Sequence, residues 1–86
     1  MIKSELYCYF DRKSHIYGAP FCAVNSEVAK RIFASMIQER PDSLAIADTE
    51  LYKIGEFDQD SAQIIGIPAE FICDFYGASE LLGGNA

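Results

Sequence analysis

Long apolar runs are missing from this 86-residue chain: no stretch approaches the 18 residues that a membrane-spanning helix needs. Met1-Ile2-Lys3-Ser4-Glu5 lacks the apolar segment and small-residue cleavage site of a secretory leader, so the protein is expected to stay where it is made. Cys8, Cys22 and Cys73 are an odd number with no C-x-x-C spacing, and each has apolar neighbours. They read as buried, reduced thiols rather than a disulfide framework. His15 is the only histidine, too few for a Cys/His zinc site, and no metal or cofactor is expected. A glycine-rich phosphate loop is also absent, because Gly83-Gly84 is terminal and follows no strand.

What remains is half hydrophobic and 13% aromatic, the composition of a folded chain with room for one core. The net charge is −6. Residues 1–40 carry six cations (Lys3, Arg12, Lys13, Lys30, Arg31, Arg40) against four acids, a balance of +2. Residues 41–86 carry Lys53 against nine acids, a balance of −8. An acidic total disfavours broad adhesion to a duplex but leaves room for a local basic face.

Leu6-Tyr7-Cys8-Tyr9-Phe10 has strand character, with Leu6, Cys8 and Phe10 on one face and Tyr7 and Tyr9 on the other. Asp11–His15 reads as a hairpin loop, Ile16-Tyr17 as the return, and Phe21–Val24 as a short strand after Gly18-Ala19-Pro20. Asn25 or Ser26 can cap a helix from Glu27 to about Glu39. Its apolar half is Val28, Ala29, Ile32, Phe33, Met36 and Ile37, Glu27 and Arg31 can pair one turn apart, and Pro41 ends it. A helical turn is possible near Ser43-Leu44-Ala45. Glu50–Phe57 and Ala62–Ile67 read as strands around a turn at Asp58–Ser61. Beyond Pro68 two readings compete: a short helix bracketed by Pro68 and Gly77, or an extended segment. The expectation is one α+β domain over residues 1–82 with a frayed tail at 83–86. Its small antiparallel sheet, ordered β-β-α-β-β, has one main amphipathic helix packed on one face.

Chemistry is sparse. A lone loop histidine makes a poor catalytic centre, and Glu56, Asp58 and Asp60 fail the calcium-loop pattern at its sixth and twelfth positions, Gln63 and Ala69. No enzyme is expected. Single-strand binders combine cations with aromatic platforms, and the first hairpin supplies Lys3, Tyr7, Tyr9, Arg12, Lys13, His15 and Tyr17, with Arg31 on the helix. If Leu6, Cys8 and Phe10 meet the helix, Tyr7 and Tyr9 line the open side of the sheet. Phe71, Ile72, Phe75 and Tyr76 near the end form a candidate partner interface, suited to another protein or to self-association as a homo-oligomer such as a dimer.

Tyr9-Phe10-Asp11-x-Lys13-x-x-x-Tyr17-x-x-Pro20-Phe21, then Arg31-x-Phe33, then Leu51-Tyr52-x-Ile54-Gly55-Glu56-Phe57-Asp58 resembles the small nonstructural protein of gokushovirus-type microviruses, single-stranded DNA bacteriophages. The matches fall within residues 7–60. The resemblance implies a phage accessory protein in the bacterial host cytoplasm, binding single-stranded DNA during genome synthesis or packaging; the alternative is a module that binds a phage or host protein, or a self-associating scaffold. Lys13, Tyr17 and Arg31 stand at motif positions. Two departures matter: Cys22 replaces an aromatic after Phe21, and the second half is unusually acidic. In the Gly55–Asp58 motif, Gly55 is expected to permit a close approach or a bulge, and Asp58 to open a turn.

Overall fold

A computed structural model describes residues 3–39 and 47–83 of the chain. Strand β1 (Lys3–Asp11) is followed by β2 (Ile16–Tyr17), β3 (Phe21–Ala23), helix α1 (Ser26–Glu39), β4 (Thr49–Asp58), β5 (Ile64–Asp74) and helix α2 (Phe75–Gly83). The strands form one curled antiparallel sheet in the order β2-β1-β4-β5, and β3 pairs with β1 on the same side as β2. The α+β class and the main helix agree with the sequence reading. Pro41, the segment at Ser43–Ala45 and residues 84–86 of the expected 83–86 tail lie outside the described residues; Gly83, its first residue, ends α2.

Asn25 caps α1, its Oδ1 accepting the Val28 N–H at 3.0 Å and its carbonyl the Ala29 N–H at 3.1 Å. Ala29, Phe33, Ala34 and Ile37 are buried, while Ile32 lies exposed at the stripe's margin. Glu27 pairs with Lys30 at 3.5 Å, rather than with Arg31 as its spacing had suggested. The core joins Tyr7, Ala23, Phe33, Leu51, Cys73 and Ala78, so both helices cover the same face of the sheet. Cys8 and Cys73 are buried, but Cys22, expected inside, is exposed on short β3.

Two hairpin loops share one construction. In Asp11-x-x-Ser14-His15 the Asp11 Oδ1 accepts the Lys13 N–H at 2.9 Å, and the Asp11 carbonyl accepts the His15 N–H at 2.8 Å. In Asp58-x-x-Ser61-Ala62 the Asp58 Oδ1 accepts the Asp60 N–H at 2.9 Å, and the carbonyl accepts the Ala62 N–H at 2.8 Å. Each loop closes on a left-handed residue, His15 at φ 61° and Ala62 at φ 64°. The aspartates act as local turn formers. Asp58 opens its turn as its motif suggested.

Past Ile67 the strand does not stop. It runs through Pro68 to Asp74, which supports the extended reading for that stretch and replaces the helix bracketed by Pro68 and Gly77. Register explains how proline is accommodated. Lys53 faces Glu70 and Gly55 faces Gly66, so Ile67-Pro68-Ala69 together oppose only Ile54. The bulge spares the ladder a donor that proline lacks, and β5 is an edge strand. The second helix begins later, with the Asp74 Oδ1 accepting the Gly77 N–H at 2.9 Å. Gly77 therefore sits inside a helix, where a Cβ would come within 3.2 Å of Cys73 Cβ.

At Gly55 β5 crosses so closely that a Cβ would collide with the Ile65 carbonyl oxygen, a backbone atom that cannot swing away. The expected close approach is therefore present, and the neighbouring bulge at Ile54 in the β1–β4 ladder accompanies it. Gly55→Ala should lower stability by about 1–3 kcal/mol, read as a drop in urea midpoint. Ala62→Gly should raise it by ~0.5–1 kcal/mol, because glycine adopts positive φ without the Cβ penalty. An unchanged midpoint in either variant would contradict these backbone assignments.

Candidate nucleic-acid interface

Both faces of β1 are apolar, and the fold chooses the opposite one from that expected. Tyr7 is fully buried beneath the helices. Tyr9 is half-buried with its ring 5.1 Å from that of Phe33 on α1 and 5.2 Å from that of Phe21. The expectation that these tyrosines line the open side is therefore corrected. A hydroxyl can enter a core when it is paired, and the Tyr7 hydroxyl donates to the Glu5 carboxylate. Glu5 in turn accepts from Lys53 Nζ at 2.9 Å.

Turning Tyr7 inward sends Cys8 and Phe10 to the face away from the helices. There Phe10 meets the rings of Tyr17 (4.6 Å) and Tyr52 (5.9 Å), and Tyr52 meets Tyr17 (5.6 Å) and Phe71 (5.8 Å). One ring comes from each of β2, β1, β4 and β5, so a continuous aromatic band crosses the sheet. Tyr17 and Phe71 are the open ends at 48% and 53% exposure. The inner Phe10 and Tyr52 are half-buried, and the Tyr52 hydroxyl donates to Glu50 at 3.2 Å.

The cations are scattered around this band. Arg12 and Lys13 lie at the tip of the β1–β2 hairpin beside His15, whose ring is 6.2 Å from Phe10. Both approach Asp48, at 3.6 and 3.5 Å, and Arg12 also donates to the carbonyls of Ala47 and Asp48. Lys3 stands at the far end of β1, 3.7 Å from Glu56, and Arg31 lies exposed on α1 across the sheet. Lys3 and Arg31 therefore do not join Arg12 and Lys13. Of the sequence candidates, the structure gathers Arg12, Lys13, His15 and Tyr17. It adds Phe10, which alternation had set on the face opposite Tyr7 and Tyr9, and Tyr52.

The expected partner interface divides similarly. Phe71 belongs to the band, Ile72 and Phe75 pack against the core, and Tyr76 is 70% exposed with its ring 5.4 Å from Phe75. Tyr52 had a readable signal: it stands in a strand beside Leu51 and must face the side opposite to it.

This is a small α+β protein with two helices on one face of its sheet and an aromatic band on the other. The chain matches the family model described as Phage ORF5 protein over residues 4–78, and it belongs to that family of phage proteins. No curated protein and no solved structure matches it. Among the described residues, no helix is long and apolar enough to cross a membrane.

The titration of the buried tyrosines follows from their surroundings. Burial first, then the Glu5 carboxylate, drives Tyr7 far above the ordinary phenol value, and burial pushes Tyr9 up to about 12. The hydrogen bond from Tyr7, then that from Lys53, holds Glu5 below the usual carboxylate range. Folded tyrosines with raised values contribute stability that is complete below about pH 10 and is lost as pH rises through the folded values. The urea midpoint should therefore fall between pH 8 and pH 11, and less so in Tyr9→Phe. Equal midpoints at the two pH values would refute the buried placement.

Proposed function

We propose that this phage accessory protein is non-enzymatic and binds single-stranded DNA by stacking bases on the Phe10–Tyr17–Tyr52–Phe71 band. The carrying observation is that four rings from four strands form one accessible stripe with its most exposed rings at the two ends. Base–aromatic stacking contributes about 1–3 kcal/mol per base and tolerates any sequence, whereas duplex bases are already stacked on one another. The resemblance to microvirus nonstructural proteins supports the same reading and suggests a role in genome synthesis or packaging within the host cytoplasm.

Charge sets the character of this binding. Lys3, Arg12, Lys13, Lys30 and Lys53 each lie within 4 Å of a carboxylate, and Glu50 borders the band. Phosphates must compete with those acids. Stacking therefore outweighs charge, and among the described cations Arg12 and Lys13 are the ones we assign to the backbone.

Anisotropy of a labelled oligothymidylate should rise with protein at low salt. Log affinity should then fall with log salt at a slope of about −1.4, as two phosphate contacts on a single strand imply. Tyr17→Ala and Phe71→Ala should each weaken binding by roughly 5-fold to 100-fold, the range that one lost stacking platform implies. Arg12→Ala with Lys13→Ala should flatten the salt slope. No binding at low salt would overturn the proposal.

A further inference from the structure

The aromatic band is unfinished at both edges of the sheet, and so is the sheet. Among the described residues, β5 pairs only with β4, and β2 and β3 pair only with β1. The two edges match in height. One row across the sheet runs Cys22, Leu6, Gly55, Gly66, and the next Phe21, Tyr7, Lys53, Glu70. A third runs Tyr17, Phe10, Glu50, Asp74. The β2–β3 edge thus spans the same levels as the Gly66–Asp74 part of β5.

They also match in direction. Every pairing is antiparallel, so β2 and β3 run opposite to β1 while β5 runs with it. A second copy displaced sideways along the sheet, and turned only to follow its twist, brings its β2 and β3 antiparallel to β5 of the first.

Charge selects this head-to-tail arrangement over like edges meeting. From Arg12 to Ser26 there is no acid, and the hairpin tip carries Arg12, Lys13 and His15. From Ile54 to the end there is no lysine or arginine, and β5 carries Glu70 and Asp74. Between them β5 offers the uncharged run Ile64–Ala69, with Ile64 at 64% and Ile65 at 43% exposure, and β2 offers Ile16 at 65%. An exposed apolar edge without inward charges is a template for another strand.

We infer that a second copy of this chain docks its β2–β3 edge on β5, extending the sheet head to tail and setting Tyr17 of each copy diagonally across from Phe71 of the next, on the same face. The arrangement is heterologous, so it propagates instead of stopping at a dimer. It makes the aromatic stripe continuous between copies. The pairing goes beyond the nucleic-acid reading and does not depend on it.

Sedimentation velocity without nucleic acid tests it. The unmodified chain should gain mass steadily from low micromolar to near-millimolar concentration, passing beyond a dimer. Ile16→Glu, on one edge, and Ile67→Lys, on the other, should each remain monomeric alone while keeping wild-type circular dichroism. Lys13→Glu and Ile64→Lys serve as second variants should either fold poorly. An equimolar mixture of the two single-edge variants should form a dimer and nothing larger, because each retains the edge the other needs. A wild-type chain that stays monomeric throughout would overturn the inference. So would an Ile16→Glu chain that self-associates, since that requires β5 to meet β5.

Discussion

The burial of the Tyr7 ring, with its hydroxyl tied to Glu5 and Glu5 tied to Lys53, sets the orientation of everything else in this protein. A strand has a side-chain period of two, so the choice made at Tyr7 is made for the whole of β1. A phenol can enter a core only if its hydroxyl finds a partner, and a hydrogen bond to a charged group contributes about 1.5–3 kcal/mol. Glu5 lies two residues away on the same face, and Lys53 stands opposite Tyr7 on β4. With that network in place Tyr9 and Leu51 follow Tyr7 inward, and Phe10, Tyr52 and Phe71 are left on the open side.

Function in such a chain is a matter of which apolar surface is left over. The helices cover one face, and the other keeps a stripe of rings instead of the polar alternation usual for a half-solvated sheet. Acids pair with the cations around it, so little uncompensated positive charge borders the rings. The same sparing use of charge leaves β5 with an uncharged stretch at the edge, where natural sheets ordinarily place lysine or a shielding loop. The aromatic face and the unguarded edge both leave apolar side chains open to solvent.

Backbone geometry is what permits this layout. Two Asp-x-x-Ser loops turn the chain at opposite ends of the sheet, each with a left-handed residue that is not glycine. Between them Gly55 lets β5 lie tight against β4, and the bulge opposite Ile54 absorbs Pro68. The bulge and the edge position together let the strand run past the proline, so that Phe71 pairs with Tyr52.

Local physics determined much of this by sequence alone. The polar Asp11–His15 stretch dictated a hairpin, Asn25 and the apolar half of the following segment dictated a capped helix, and Gly55 announced a close approach. The hairpin and the helix cap depend on neighbours a few residues apart, whereas the glycine signals its contact only by lacking a Cβ. Which face of β1 is inside was not legible, because Leu6, Cys8 and Phe10 are as apolar as Tyr7 and Tyr9, and hydrophobicity alone ranks the hydroxyl-bearing rings second. Only the tertiary structure supplies Lys53, forty-eight residues from Glu5 along the chain, to complete the polar network that reverses that ranking. The shortage of long apolar runs agrees with the finding that no helix among the described residues is long and apolar enough to cross a membrane, and the open band leaves Tyr17 and Phe71 free of the core. That freedom was decided by a register between distant strands, which no local pattern encodes.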